Sequence, residues 1–225
     1  MATGVFFQGA RMLIEIYSDV VCPWCYIGKK RLDEVLASPV GEGVELRWRP
    51  YQLYPGIPPN GLLREAFLLA RNPAAEDIAE LRARIPSRIR AEAEDVGLRF
   101  DFGAMEYMPN TRLAHRLLEY AYAHGVQHEL SEVLFRGYFC EGKNVGDPAE
   151  LVRCAMEVGM DGSDAQAFLE GNDGIEALDR DLDRGIEVGV SGVPCYMLGG
   201  AFMLPGAQTP QVIEQFITRA KERLG

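Results

Sequence analysis

The stretch Ser18-Asp-Val-Val-Cys-Pro-Trp-Cys-Tyr-Ile-Gly28 is the most informative part of the sequence, because it places two cysteines where a predicted strand is followed by a predicted helix. The strand is Met12 to Tyr17, an apolar run rich in residues that favour β-structure. Apolar residues then recur at helical spacing as far as Pro39. Val44 to Trp48 alternates as a second strand. Strand, helix and strand at these lengths predict a βαβ unit with parallel strands.

Helical patterning dominates the middle of the chain. Pro86 is expected to kink or split one of these helices, because proline removes a backbone donor. Asn110 is the predicted N-cap of another, and Ser163 caps a short one. The longer helices are predicted at residues 61–71, 74–96, 111–124, 127–140, 148–158 and 174–187.

Strand patterning returns near the C-terminus. Cys195 to Leu198 and Ala201 to Leu204 are predicted strands on either side of Gly199-Gly200, a two-residue hairpin loop. A final helix is predicted from Thr209-Pro210 to Leu224. The chain therefore ends on a ββα unit.

Length and composition fit a globular domain with an insertion. The chain has 225 residues, of which 48% are hydrophobic and 25% charged. Residues 12–60 and 189–225 are predicted to form one α/β domain of thioredoxin type, βαβ…ββα. Residues 61–188 form a large inserted all-helical domain, and residues 1–11 are set aside as an N-terminal extension or a leader left by cloning.

The charge and the cysteine count restrict the partners and the location. A net charge of −10 repels phosphate backbones and anionic lipid, so nucleic acid and membrane surfaces are not expected as partners. Five cysteines, an odd number, do not make a disulfide framework. The N-terminus lacks the features of a secretory signal, so a cytoplasmic location is expected. A close cysteine pair is then catalytic or metal-binding. Monomer and homodimer both remain open.

The pair Cys22 and Cys25 carries the sharpest chemistry in the sequence. A predicted helix N-terminus offers Cys22 unpaired N–H groups and the positive end of the helix dipole, which favour a thiolate. A Cys-x-x-Cys so placed can have a pKa of about 3.5–7.5. Pro23 suits the first helical position. We expect Cys22 to be the exposed nucleophile and Cys25, one turn further in, to be the resolving thiol.

The alternative interpretation of a Cys-x-x-Cys is half of a zinc site. Zinc takes four ligands, and the rest of the sequence supplies no second close pair and no histidine cluster. No metal is therefore predicted. The remaining candidate ligands are scattered: Cys140, Cys154, Cys195, His115, His124 and His128. His115 is expected to make a polar contact, and Cys195 to pack in the core unless it acts as a third redox-active sulfur.

Val193-Pro194 stands directly before a predicted strand. Proline cannot donate to a strand ladder, so at this position it marks an edge, a turn or a cis bond. This dipeptide belongs to one of five motifs that are distributed along the chain from Ser18 to Gln208. The five motifs are Ser18–Gly28, Arg47–Leu53, Pro109–Arg116, Gly189–Pro194 and Pro205–Gln208.

With these motifs the chain resembles the DsbA-like thioredoxin-fold family, and specifically its FrnE-type branch. The resemblance implies an active-site disulfide of Cys22 with Cys25, a cis Val193-Pro194 bond packed against it, and thiol–disulfide oxidoreductase or isomerase activity. In relatives the backbone before that proline pairs with an extended substrate segment.

The chain departs from the pattern of this family at two places. Pro23-Trp24 replaces the Pro-His of strongly oxidising secretory members, and Cys195 stands where relatives commonly carry Phe.

Several residues around the pair are candidates for substrate binding. Pro23 and Trp24 offer an apolar docking surface, and Val193 with Pro194 offers backbone. Asn110 is expected to touch substrate from the insert, if capping leaves it free. The N–H groups of the loop that ends at Gln208 could hold a carboxylate, for example that of glutathione.

The leading hypothesis is a thiol–disulfide oxidoreductase acting on a disulfide- or thiol-bearing protein or small molecule. No tightly bound cofactor is expected, and glutathione is a possible co-substrate. One alternative is glutathione-dependent chemistry of the kappa-class transferase or chromene-carboxylate isomerase type, although those enzymes usually carry Ser where Cys22 stands. The other alternative is a non-enzymatic, holdase-like binding module.

Overall fold

A computed structural model describes residues 12–200 and 202–224 of the chain. The predicted extension at residues 1–11 and the predicted strand start at Ala201 lie outside the described residues. Among the described helices, none has both the length and the apolar character needed to cross a bilayer.

A mixed four-stranded sheet carries the site. It has the order β2-β1-β5-β6, in which β1 and β2 run parallel and β5 is antiparallel to both β1 and β6. A separate two-stranded ribbon joins β3 to β4 within the insert. The strands are β1 (Met12–Ser18), β2 (Val44–Pro50), β3 (Leu62–Leu63), β4 (Tyr107–Met108), β5 (Cys195–Leu198) and β6 (Phe202–Pro205).

Helices fill the rest of the chain, and the order βαβ, helical insert, ββα is the order predicted from the sequence. The thioredoxin-type fold class is thereby confirmed. A 3-10 turn at Pro39–Gly41 leads into β2. The helices are α1 (Pro23–Leu36), α2 (Arg64–Arg71), α3 (Ile78–Ala83), α4 (Ser87–Asp95), α5 (Arg112–Ala123), α6 (Gln127–Glu141), α7 (Pro148–Glu157), α8 (Gly162–Glu170), α9 (Ile175–Glu187) and α10 (Pro210–Leu224).

The local predictions for the insert are confirmed in part. The helix predicted at 61–71 begins only at Arg64, because the two residues before it pair as β3. Pro86 does split the long helix, which becomes α3 and α4. Ser163 is not the cap of α8, because the carboxylate of Asp161 accepts the N–H groups of Ser163 and Asp164.

The two faces of the main sheet pack against different parts of the molecule. Because side chains alternate along a strand, Ile16 and Tyr196 face the apolar cluster that includes Cys25. Tyr17 and Cys195, paired directly across β1 and β5, belong to a smaller cluster on the opposite face. Helix α1, which carries Cys25, and Cys195 therefore lie on opposite sides of the sheet.

The insert shares an apolar core with the α/β part. Tyr26 on α1 stacks on Phe135 of α6, with ring centroids 5.2 Å apart, and Trp48 of β2 packs edge-on against the same ring. On the opposite face, Arg49 of β2 forms buried ion pairs with Glu15 and with Asp181 of α9. The insert is thus joined to both faces of the sheet.

Candidate active site

Cys22 occupies the position directly before α1, with extended backbone angles, and Pro23 begins the helix. The backbone holds this junction in place, since the N–H of Cys22 donates to the Asp19 carbonyl at 2.9 Å and the N–H of Cys25 donates to the Cys22 carbonyl at 3.0 Å. The pair therefore sits at a strand-to-helix junction, one helical turn apart.

Cys25 is fully buried, and its pKa is raised well above the ordinary thiol value. Burial is the largest cause, and contact with the Cys22 side chain adds to it. The Ser18 hydroxyl and the Asp19 N–H act in the opposite direction by favouring a thiolate. The net result is a sulfur that stays protonated at neutral pH and lies in contact with Cys22.

Cys22 itself is only 3% exposed, which corrects the expectation of an exposed nucleophile. The reason is tertiary: the Val193 carbonyl lies over the sulfur and accepts the Cys22 thiol at 3.7 Å. The Val193-Pro194 peptide is cis, and the Pro194 carbonyl accepts the N–H of Gly206 at 2.7 Å. The backbone before the proline thus faces the nucleophile.

The other buried cysteines lie away from this junction. Cys195 packs with Met197 and Tyr17 on the far face of the sheet, and burial raises its pKa to about 11. Burial likewise raises the pKa of Cys154, inside the insert, to about 11. Both residues are therefore packing thiols in this structure, and for Cys195 packing is the role expected from the sequence.

Asp19 is a site residue that the sequence reasoning did not single out. It is 1% exposed, its Oδ2 accepts the Leu53 N–H at 2.7 Å, and its Oδ1 lies 3.4 Å from Nε2 of His115. His115 also contacts the Tyr51 carbonyl at 3.1 Å, so the polar contact expected of it is observed. Asp19 thereby connects the cysteine junction to the loop after β2 and to α5. In the sequence, only the position of Asp19 just ahead of the cysteines indicated a role at the site.

Trp24 lies between the two cysteines in sequence and is half-buried. The guanidinium of Arg88, from α4, lies 5.2 Å from the centre of its ring. Arg31, buried on α1, donates to the Ala207 carbonyl at 2.9 Å and pairs with Glu92 of α4. One buried cation therefore holds both α4 and the loop before α10 against the redox helix.

A known protein family matches most of the chain. Residues 13–218 match the family described as DSBA-like thioredoxin domain. The chain belongs to this family. The predicted resemblance is thus confirmed at family level, and its FrnE-type branch stays a prediction.

Several known proteins are similar to this chain over almost its whole length. YwbO of Bacillus subtilis, named as uncharacterized, is 28% identical over 211 residues, which are 93% of this chain and 98% of YwbO. A probable DsbA oxidoreductase from Streptomyces coelicolor is 29% identical with a TM-score of 0.80, over 94% of this chain and 90% of that one. A 2-hydroxychromene-2-carboxylate isomerase, 20% identical with a TM-score of 0.68 over 94% and 97% of the two chains, shares the fold.

Asn110, predicted to bind substrate, makes other contacts. The Asn110 amide donates to the Ile57 carbonyl at 2.7 Å, and its oxygen accepts the Arg112 N–H at 3.0 Å. The prediction of Asn110 as the N-cap of α5 is wrong, because Thr111 holds the cap position. Asn110 lies one residue earlier and supports the start of the helix through the Arg112 N–H. Its hydrogen bonds go to the loop after β2 and to α5, so this geometry gives no support to a substrate contact.

The loop before α10 also differs from the predicted carboxylate cradle. The N–H of Gly206 donates to Pro194, and the N–H of Gln208 donates back to Gly206 at 2.9 Å. The Gln208 amide donates to the Pro205 carbonyl at 2.7 Å. Of the three loop N–H groups, those of Gly206, Ala207 and Gln208, two therefore already have an acceptor within the protein, and the loop supports the cis-proline segment.

Within residues 12–200 and 202–224, no three His, Cys, Asp or Glu side chains are grouped so that they could hold a metal ion.

Proposed function

We propose that the protein is a thiol–disulfide oxidoreductase in which Cys22 is the nucleophile and Cys25 the resolving thiol. One observation carries the proposal: Cys22 meets both Cys25 and the backbone before a cis proline, at the N-terminus of α1. Membership of the DSBA-like family supports redox chemistry on thiols or disulfides. The expected glutathione co-substrate and cytoplasmic location stay predictions.

The proposed reaction has two exchange steps. The Cys22 thiolate attacks one sulfur of a substrate disulfide; the bond from Cys22 to that sulfur forms, the substrate disulfide breaks, and the leaving sulfur takes the electron pair and a proton. Cys25 then loses its proton and attacks Cys22, and the second substrate thiol leaves. The substrate gains two electrons and two protons, and the cysteine pair loses them. A dithiol substrate runs the same steps in reverse.

The different environments of the two sulfurs support these roles. Burial holds Cys25 in the protonated form, so it does not compete for the first attack. The contact between the Cys25 and Cys22 side chains places the resolving sulfur beside the mixed disulfide it must open. The Ser18 hydroxyl and the Asp19 N–H stabilise the Cys25 thiolate that forms at that moment.

The first prediction is that Cys25→Ser traps the mixed disulfide. Without the resolving thiol the first exchange stops halfway, so incubation with a small disulfide should leave one substrate half on Cys22, detected by intact-mass and peptide mass spectrometry. Cys195→Ser is the matched control, because that thiol lies on the far face of the sheet. It should leave no adduct and should turn over as the wild type does.

Three outcomes would contradict the assignment: absence of any adduct, an adduct on another cysteine, or full turnover by Cys22→Ser. The last of these would instead favour glutathione-dependent isomerase chemistry, which does not need a redox pair.

A further inference from the structure

A basic segment lies beside the redox pair of this acidic protein. Residues 81–91 contain four arginines and no acidic residue, whereas the whole chain has a net charge of −10. The segment includes the end of α3 and the first turns of α4. Arg88, in the first turn of α4, is the member that reaches the site.

Arg88 contacts the residue between the two cysteines. Its guanidinium lies 5.2 Å from the ring centre of Trp24, within the range of a cation–π interaction. The Arg88 side chain is exposed and Trp24 is half-buried, so the pair forms part of the surface next to Cys22. No carboxylate of the described residues forms an ion pair with Arg88 within 4.0 Å, which leaves its charge available.

The three cations of α1 itself are neutralised. Lys29 pairs with Asp33 at 2.7 Å, and Lys30 pairs with Glu132 at 2.7 Å. Arg31 is buried and pairs with α4. Among these cations of α1 and α4, Arg88 therefore supplies the unmatched positive charge beside the redox pair.

The position of Arg88 is held by the packing of α4. Arg31 pairs with both Glu92 and Asp95, one and two turns after Arg88, while it also donates to the Ala207 carbonyl. Helix α4, the loop at Ala207 and the redox helix are thus held together at one buried guanidinium. A charge held in place loses less entropy on meeting a ligand than a free side chain does.

We propose that Arg88 selects thiol and disulfide substrates that carry a carboxylate close to the reacting sulfur. This inference rests on the proposed function, because it requires the substrate sulfur to reach Cys22. An arginine can bind a carboxylate through two parallel N–H donors, and the aromatic face of Trp24 keeps the guanidinium oriented. Neutral and cationic disulfides gain nothing from this contact.

The test compares disulfides of similar size and different charge. We would measure the rate constants for oxidation of the reduced protein by 3,3′-dithiodipropionate, bis(2-hydroxyethyl) disulfide and cystamine, which are anionic, neutral and cationic. The wild type should prefer them in that order. Arg88→Gln should lower the anionic-to-neutral ratio about 3- to 10-fold. Arg88→Glu should reverse the preference, and Arg88→Lys should keep part of it. Added salt should shrink the wild-type preference.

Arg90→Gln is the matched control. Arg90 belongs to the same helix and segment, but it lines a different cavity with Leu98 and Phe100. The same loss of charge there should leave the anionic-to-neutral ratio unchanged.

Equal anionic-to-neutral ratios in the wild type and in Arg88→Gln would overturn the inference. An equal shift of this ratio in Arg90→Gln would also overturn it, because it would indicate a general electrostatic effect of residues 81–91.

Oxidised glutathione gives a separate experiment. An effect of Arg88 on the reaction with glutathione but not on that with dithiodipropionate would mean that the peptide is recognised rather than the charge, which also overturns the inference. Failure of the proposed function differs from all of these, because none of the disulfides would then oxidise the wild type through Cys22.

Discussion

At the scale of single residues, burial sets the protonation of Cys25, and the backbone of Val193 sets the surroundings of Cys22. Cys25 is enclosed by the core and kept as a thiol, whereas Cys22 lies under one carbonyl, that of Val193, where a substrate backbone is expected to bind. The same burial makes Cys25 a source of pH dependence, since a raised pKa in the folded state links stability to proton binding.

The second prediction concerns alkaline pH and the reduced protein. Because the folded-state pKa of Cys25 lies above its ordinary value near 9, the stability it contributes is fully present below about pH 9 and falls as pH rises further. Reduced wild type should therefore lose more free energy of unfolding between about pH 8 and 11 than Cys25→Ala does. Urea unfolding at each pH measures this. Buried tyrosines and the other thiols titrate in both proteins, so parallel curves would contradict the prediction.

At the scale of secondary-structure elements, the packing of α1 against β5 sets the geometry of the site. Gly28 allows this approach: a Cβ at that position would lie 2.5 Å from the Tyr196 hydroxyl and 3.1 Å from Cγ of Pro194. Both Tyr196 and Pro194 are buried, so neither can move aside easily.

The third prediction is that Gly28→Ala destabilises the protein by about 1–3 kcal/mol, because overpacking outweighs the better helix propensity of alanine. Gly137→Ala is the matched control, since the added Cβ there would mainly meet the flexible side chain of Lys143 at 3.1 Å. It should be close to neutral in chemical denaturation. If both variants lost equal stability, close approach of α1 to β5 would not be the reason for Gly28.

At the scale of the whole molecule, the insert and the α/β part are connected through both faces of the sheet. The aromatic stack from Tyr26 to Phe135 crosses between them on one face. The buried ion pairs of Arg49 with Glu15 and Asp181 do so on the other. The division into two domains stays a prediction, but these shared contacts favour joint unfolding.

The fourth prediction is a single unfolding transition that depends on Arg49. Both tryptophans lie outside the insert but contact it, Trp24 through Arg88 and Trp48 through Phe135. Fluorescence therefore reports on the α/β part and on its contact with the insert, whereas far-ultraviolet circular dichroism is dominated by the helices. The two signals should coincide in urea. Arg49→Met should lower the free energy of unfolding by about 3 kcal/mol, because it leaves the buried Glu15 carboxylate without its closest partner.

The exposed ion pair of Arg153 with Glu150 gives the control for this experiment. Arg153→Met should leave the midpoint of urea unfolding close to that of the wild type, because solvent screens the pair. Separate transitions for the two signals in the wild type would show that the insert unfolds by itself.

The sequence correctly predicted those features that depend on residues close together in the chain. The strand-to-helix junction at Cys22 and the break at Pro86 both follow from neighbours within a few residues, and the structure has each of them. The two-residue strand β3 was missed because it exists only through pairing with β4, more than forty residues away. Local patterns could not distinguish it from the first turn of a helix.

The order of elements, the family and the cysteine pair were readable from the chain alone, because hydrophobic period, turn residues and motif spacing are properties of adjacent positions. Contacts between distant positions were not readable. Packing alone placed Cys195 on the far face, covered Cys22 with Val193 and brought Arg88 over Trp24. Such contacts depend on how helices and strands stack in three dimensions, and no spacing within the chain encodes that stacking.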